Sequence, residues 1–196
     1  MSKKSGYVSF AAGAALVFFG ALAGAAEGPR AQLQATMESV LDVTRTFKSQ
    51  QDFIDNKPRL REIIIPRFDF TEMARRSLGN DQWSGLKGRQ QEFVQAFIQF
   101  AESSYTNALG SYRGEKMIYG REQIDNDYAQ VNTEVLGSSG DSTPINYKLH
   151  LVDGQWKVYD VVIDQVSLVA NFHSQFGRIL KTASIDELMQ RLRAKA

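Results

Sequence analysis

The hydrophobic period changes along this chain, and that change limits the fold more than any other feature. Over the first half, apolar residues recur at helical spacing. Leu33, Met37, Val40, Leu41 and Thr44 make one such face, and Phe53, Leu60, Ile63, Ile64 and Ile65 make a second, which Pro66 should end. Asp69 or Thr71 can cap a short helix carrying Met73, Ala74 and Leu78, closed by Gly79 and Asn80. The longest helix is expected from about Gly88 to Leu109, where Phe93, Phe97 and Phe100 lie beside Val94, Ile98, Ala101 and Tyr105.

In the second half the period drops to two. Ile145, Tyr147, Leu149 and Leu151 alternate with Asn146, Lys148, His150 and Val152. Strands are expected over 117–119, 128–136, 145–152 and 155–164, with 137–144 as a loop and Asp153-Gly154 as a two-residue hairpin turn. Helix returns at Ser167 with Leu168, Phe172, Phe176 and Leu180, and Ser184 to Glu187 reads as a capping box before a terminal helix. Helices, then strands, then helices predict an α+β domain, with helices packed on an antiparallel sheet of about four strands.

The first 26 residues bear on compartment rather than fold. Lys3 and Lys4 precede a run without charge from Ser5 to Ala26, centred on Leu16 to Phe19 and ending in Ala and Gly. That is the pattern of a secretory signal peptide, which leaves residues 27–196 as a single domain. Losing both lysines takes the formal charge from +1 to −1, so nucleic acid binding has no electrostatic support. With no cysteine, an exported chain has no disulfide and must be held by its core alone.

Chemistry-bearing motifs are sparse. No phosphate-binding glycine loop occurs, and two histidines without cysteine give poor metal-ligand prospects, so neither metal nor cofactor is expected. His150 falls on the polar side of its strand, and His173 should be exposed. Asp160 and Asp164 alternate with Trp156, Val158 and Val162; either could be a general base raised by burial or a structural carboxylate. The many aromatic residues suit a packed core or a cavity, and periodicity alone favours core.

Two stretches carry a family resemblance. Ile65-Pro66-Arg67-Phe68-Asp69-Phe70, followed by Met73-Ala74-Arg75, Leu78-Gly79 and Trp83, is similar to the N-terminal signature of the MlaC, or toluene-tolerance, family. Trp156 to Val161, then Val166 to Phe172 and Gln175-Phe176, resembles its C-terminal signature. In the family a glycine often stands where this chain has Gln165, and a basic residue where it has His173. The resemblance implies an NTF2-like fold with an apolar pocket between helices and sheet. It implies a monomeric periplasmic phospholipid carrier, working between an inner-membrane ABC transporter complex and an outer-membrane lipoprotein complex. On that footing Ile64, Phe68, Met73, Phe97, Tyr105, Tyr147, Leu149, Val158, Val162, Val166, Leu168 and Phe172 are expected to line the pocket. Arg67, Arg75 and Arg76 are expected to meet the lipid phosphate or a partner. The competing readings are a carrier of another lipid, such as a hopanoid, and a pocket enzyme using Asp160, Asp164 or Tyr159.

Overall fold

Each helix begins and ends where local chemistry supplies a partner. The computed structural model describes residues 27–110, 115–137 and 140–195, with the backbone alone for 50 and 104–110. The expected signal peptide, 1–26, and the side chain of Tyr105 lie outside the described residues. Helix α1 (Pro29–Thr44) has Pro at its first position, where no N–H is needed. Its Arg30 N–H donates instead to Glu122 Oε2 across 2.6 Å. Helix α2 (Gln50–Ile64) opens on a capping box of Ser49 and Asp52 and passes at Pro66 into a 3₁₀ turn, Ile65–Arg67. Phe68 then bridges to Val158, and the Asp69 N–H donates to Val158 O at 2.8 Å. Asp69 is the residue that caps α3 (Phe70–Leu78), accepting from Glu72 N–H at 2.9 Å. Gly79, at φ 87°, turns the chain into the short α4 (Asn80–Gly85), and α5 (Gln90–Gly110) follows.

The sheet is an antiparallel meander of β1 (Lys116–Asp125), β2 (Tyr128–Leu136), β3 (Ser142–Val152), β4 (Gln155–Ile163) and β5 (Val166–Ser167), paired in that order. Three features depart from the sequence expectation. β1 runs on to Asp125 because a bulge between Tyr119 and Glu122 resets the alternation that would have marked it. β3 starts at Ser142, inside the expected loop, with Pro144 opposite Glu134. The third is a bulge in β4: Lys148 faces Asp160 but Leu149 faces Val158, leaving Tyr159 as the extra residue. Trp156 and Val158 therefore point inward with Leu149, whereas beyond the bulge Val161 and Ile163 take over and Asp160 and Val162 turn outward.

Asp153 (φ 50°) and Gly154 (φ 78°) form the expected hairpin turn. Asp164 (φ 48°) and Gln165 (φ 67°) make a second tight turn into β5. Helix α6 (Leu168–Leu180) is capped by Ser167, and α7 (Ile185–Ala194) by the Ser184–Glu187 box. No helix among the described residues is long and apolar enough to cross a membrane.

Candidate functional site: the space between sheet and helices

The buried side chains of the described residues fall into three groups rather than one core. The first is entirely helical. Phe93, Phe97, Phe100, Phe172 and Phe176 interlock between α5 and α6, with Phe97 edge-on to Phe172 at 5.5 Å and to Phe176 at 6.3 Å. The second covers the inner face of the sheet: Ala129, Val131, Tyr147, Leu149, Trp156, Val158 and Val161 under Leu33 of α1. The third joins α1 to α2 through Val40, Val43, Phe53 and Leu60. Phe68 and Leu168 border both the first and second groups.

At the margins of the second and third groups the apolar residues are only half-buried. Met37, Tyr119, Ile145 and Ile163 edge the sheet-face group, and Ile63 and Ile64 edge the α2 group. Helix α1 lies on the sheet, while α2 packs on α1, and α5 packs on α3 and α7. An ion pair of Arg61 with Glu102, at 2.8 Å, ties α2 to α5. Among the described residues, the inner sheet face carries the hydroxyls of Thr133, Tyr147 and Tyr119. Thr133 Oγ1 donates to Ile145 O at 2.7 Å; burial pushes the Tyr147 phenol up and that of Tyr119 up to about 12.

The expected site residues separate accordingly. Tyr147, Leu149 and Val158 lie on the inner sheet face; Phe68 and Leu168 lie at its junction with the helical core, and Ile64 on the α2 side. Met73, Phe97 and Phe172 are instead sealed inside the helical core, where neighbouring rings fill the space around them. Val162 faces outward because of the Tyr159 bulge, and Val166 is 55% exposed on the two-residue edge strand. Neither belongs to the interior. Met37, Tyr119, Val131, Thr133, Ile145, Val161 and Ile163 occupy the inner wall although sequence reasoning did not select them. Ile145 was findable, since it alternates with Tyr147 and Leu149.

The arginines also separate. Arg67 is a tie inside the fold: Nε donates to Thr36 Oγ1 at 3.0 Å, and Nη1 to Gln32 Oε1 at 2.8 Å and Trp156 O at 2.7 Å. It is not free to meet a phosphate. Arg75 and Arg76 both clamp Glu72, whose carboxyl the Arg75 hydrogen bond draws down to about 2. Arg76 also lies over the Tyr159 ring at 4.3 Å. Together with Lys148, Tyr159, Asp160, Ser167 and His173 they line an open groove of about 610 Å³ on the outer side of the sheet.

Asp160, 4% exposed, is a fastening for α6. It accepts from Ser167 Oγ at 2.8 Å and Val169 N–H at 3.2 Å, and pairs with Lys148 at 3.2 Å. Asp164 is an exposed turn residue. His150 joins Asp69 at 3.0 Å and packs beside the rings of Tyr128 and Tyr159, which also meet each other, and the exposed His173 approaches Ser77 O. No group of three metal-ligating side chains occurs among the described residues.

Residues 34–194 match the family described as MlaC protein. The chain is 23% identical over 142 residues to the intermembrane phospholipid transport system binding protein MlaC of Haemophilus influenzae, covering 70% of this chain and 66% of that one, just under two thirds. It is 26% identical over 167 residues to toluene tolerance protein ttg2D of Pseudomonas putida, covering 83% and 77%. A solved phospholipid-binding protein from Ralstonia solanacearum, in complex with a phospholipid, shares the fold with a TM-score of 0.75 at 22% identity, over 86% of this chain and 97% of that one. With the family match running through every element from α1 to α7, the chain belongs to the MlaC family.

Proposed function

We propose that the protein is a periplasmic phospholipid carrier whose acyl chains enter between the inner sheet face and helices α1, α2 and α5. The observation that carries this reading is the incompletely buried apolar interior: Met37, Ile64, Ile145 and Ile163 stay only half-buried beside the sheet-face and α2 groups. Membership of a family with relatives named for phospholipid transport and phospholipid binding supports it. The lining set is Met37, Ile64, Phe68, Tyr147, Ile145, Ile163 and Leu168.

The energetics require a carrier of this kind. Each buried methylene contributes about 0.8 kcal/mol, so two chains of about 16 carbons represent on the order of 20 kcal/mol of transfer free energy. A lipid cannot cross water unaided at a useful rate. A pocket that binds it should release it only against a docked partner, when its walls open. Separation of α2 from α5, at the exposed end of which Arg61 meets Glu102, is the opening we assign to that step. The carrier is exported by its N-terminal leader, acts as a monomer, and meets an inner-membrane transporter complex and an outer-membrane lipoprotein complex. Arg75 and Arg76, across the sheet from the proposed pocket, are assigned to protein contact rather than to lipid phosphate. No chemical step is needed, and the carboxylate of Asp160 is fully engaged in holding α6.

The test is lipid extraction. Delipidated protein is incubated with liposomes, re-isolated by gel filtration and assayed for phosphorus. About one phospholipid per chain is expected. Protein that emerges without lipid under conditions where it remains folded would sink the carrier reading.

A further inference from the structure

The Tyr119 hydroxyl is an anomaly that the fold alone does not explain. Its oxygen is buried and has no hydrogen-bond partner, yet the ring itself is only half-buried. Buried hydroxyls in folded proteins nearly always find a partner, so an orphan calls for a missing group. Position narrows what that group is. Tyr119 lies on β1, the edge strand of the sheet, opposite Thr133, with half-buried Met37 and Ile145 in the same inner-face group. It therefore stands at the rim of the proposed pocket, where apolar wall gives way to solvent. The Thr133 hydroxyl beside it is already engaged with Ile145 O, whereas the Tyr119 hydroxyl has no partner.

A bilayer lipid carries one kind of strong acceptor at the boundary between its chains and its head group, the carbonyl of an acyl ester. A fused-ring hydrocarbon such as a hopanoid skeleton has none there. We infer that Tyr119 donates its hydroxyl hydrogen to an ester carbonyl of the cargo, making the protein selective for ester-linked acyl glycerolipids. This rests on the carrier reading above and deepens it, by placing the glycerol ester region at β1 with the head group outside. Ser77 also has a buried, unpaired hydroxyl, but it lies on α3 with its neighbours in the closed helical core. It has no route to cargo.

The experiment compares two lipids on two proteins. Wild type and Tyr119→Phe are delipidated, then titrated with a diacyl phosphatidylethanolamine and with its dialkyl ether analogue of equal chain length. A single neutral hydrogen bond predicts that wild type prefers the ester lipid by about twofold to tenfold. Tyr119→Phe should lose that preference by weakening for the ester lipid while leaving the ether lipid unchanged. Its lipid-free melting temperature should hold or rise, because the substitution removes an unpaired hydroxyl. Equal binding of both lipids by wild type, or an equal loss for both in the variant, overturns the assignment and leaves the carrier reading standing. A lower lipid-free melting temperature in Tyr119→Phe also overturns it, by revealing a partner within the protein. Failure of wild type to bind either lipid overturns both readings.

Discussion

The helical core and the sheet-facing interior are built from similar apolar residues and end in opposite conditions. Between α5 and α6 the phenylalanines meet ring to ring, and Phe93, Phe97 and Phe176 are almost wholly buried. On the inner sheet face the aliphatic side chains Ile145 and Ile163 stay half-buried, and so does Met37 opposite them on α1. The first region has closed on itself. The second is tied through Arg61 and Glu102 and through the Arg67 contacts to α1 and β4, while its apolar margin stays half-buried. The closed region should dominate the domain's stability, and the half-buried one is where we propose that the lipid lies.

Substitutions can break or sharpen that contrast. The largest effect is expected in the closed region: Phe97→Ala should cost about 3–5 kcal/mol in chemical denaturation, as a sealed aromatic site leaves a cavity. Asp160→Ala comes next, at about 3 kcal/mol, because Ser167 Oγ and Val169 N–H lose their buried acceptor and α6 loses its anchorage. In the open region Ile163→Ala should cost only about 1 kcal/mol, since much of the side chain is already outside a packed environment. The same variant should retain less phospholipid after gel filtration. If Ile163→Ala proves as destabilising as Phe97→Ala, the two regions do not differ as described.

Acid gives a further separation. Glu72 is held near 2 by the Arg75 hydrogen bond, from an ordinary value of 4.5, and Glu92 likewise by Arg89. A carboxylate with a depressed folded pKa contributes stability above its unfolded value and loses it as pH falls through the folded one. The melting temperature should therefore drop between about pH 4.5 and pH 2, and Glu72→Gln should flatten that drop. The smallest expected effect is a gain. Gln165 sits at φ 67°, a left-handed position that costs a residue with a side chain about 1 kcal/mol, so Gln165→Gly should raise stability by up to that amount.

The parts of the fold legible in the sequence were those set by short-range chemistry. The Ser184 cap, the stop at Pro66, the Asp153-Gly154 turn and the alternation of Tyr147 with Leu149 each depend on residues within a few positions, and the α3 cap was narrowed to Asp69 or Thr71, of which the fold uses Asp69. The bulges were not legible, because a bulge is fixed by which residues the partner strand presents. Without the bulge at Tyr159, Val162 would join the wall; with it, Val161 and Ile163 do. Arg67 shows the same limit for the site. Nothing near it in sequence reveals that Thr36 and Gln32 of α1 and Trp156 of β4 will surround its guanidinium. Phe97 and Phe172 were recognisable as apolar, but which helix would seal them depended on how α5 and α6 pack.

The most direct test of a lipid-accepting interior is a native mass spectrum of the full-length expressed protein purified without detergent, followed by denaturing extraction. The account predicts a stoichiometric adduct that extracts as an ester-linked phospholipid. A bare polypeptide mass that also takes up no phospholipid from liposomes would contradict it and leave the half-buried inner wall without a purpose.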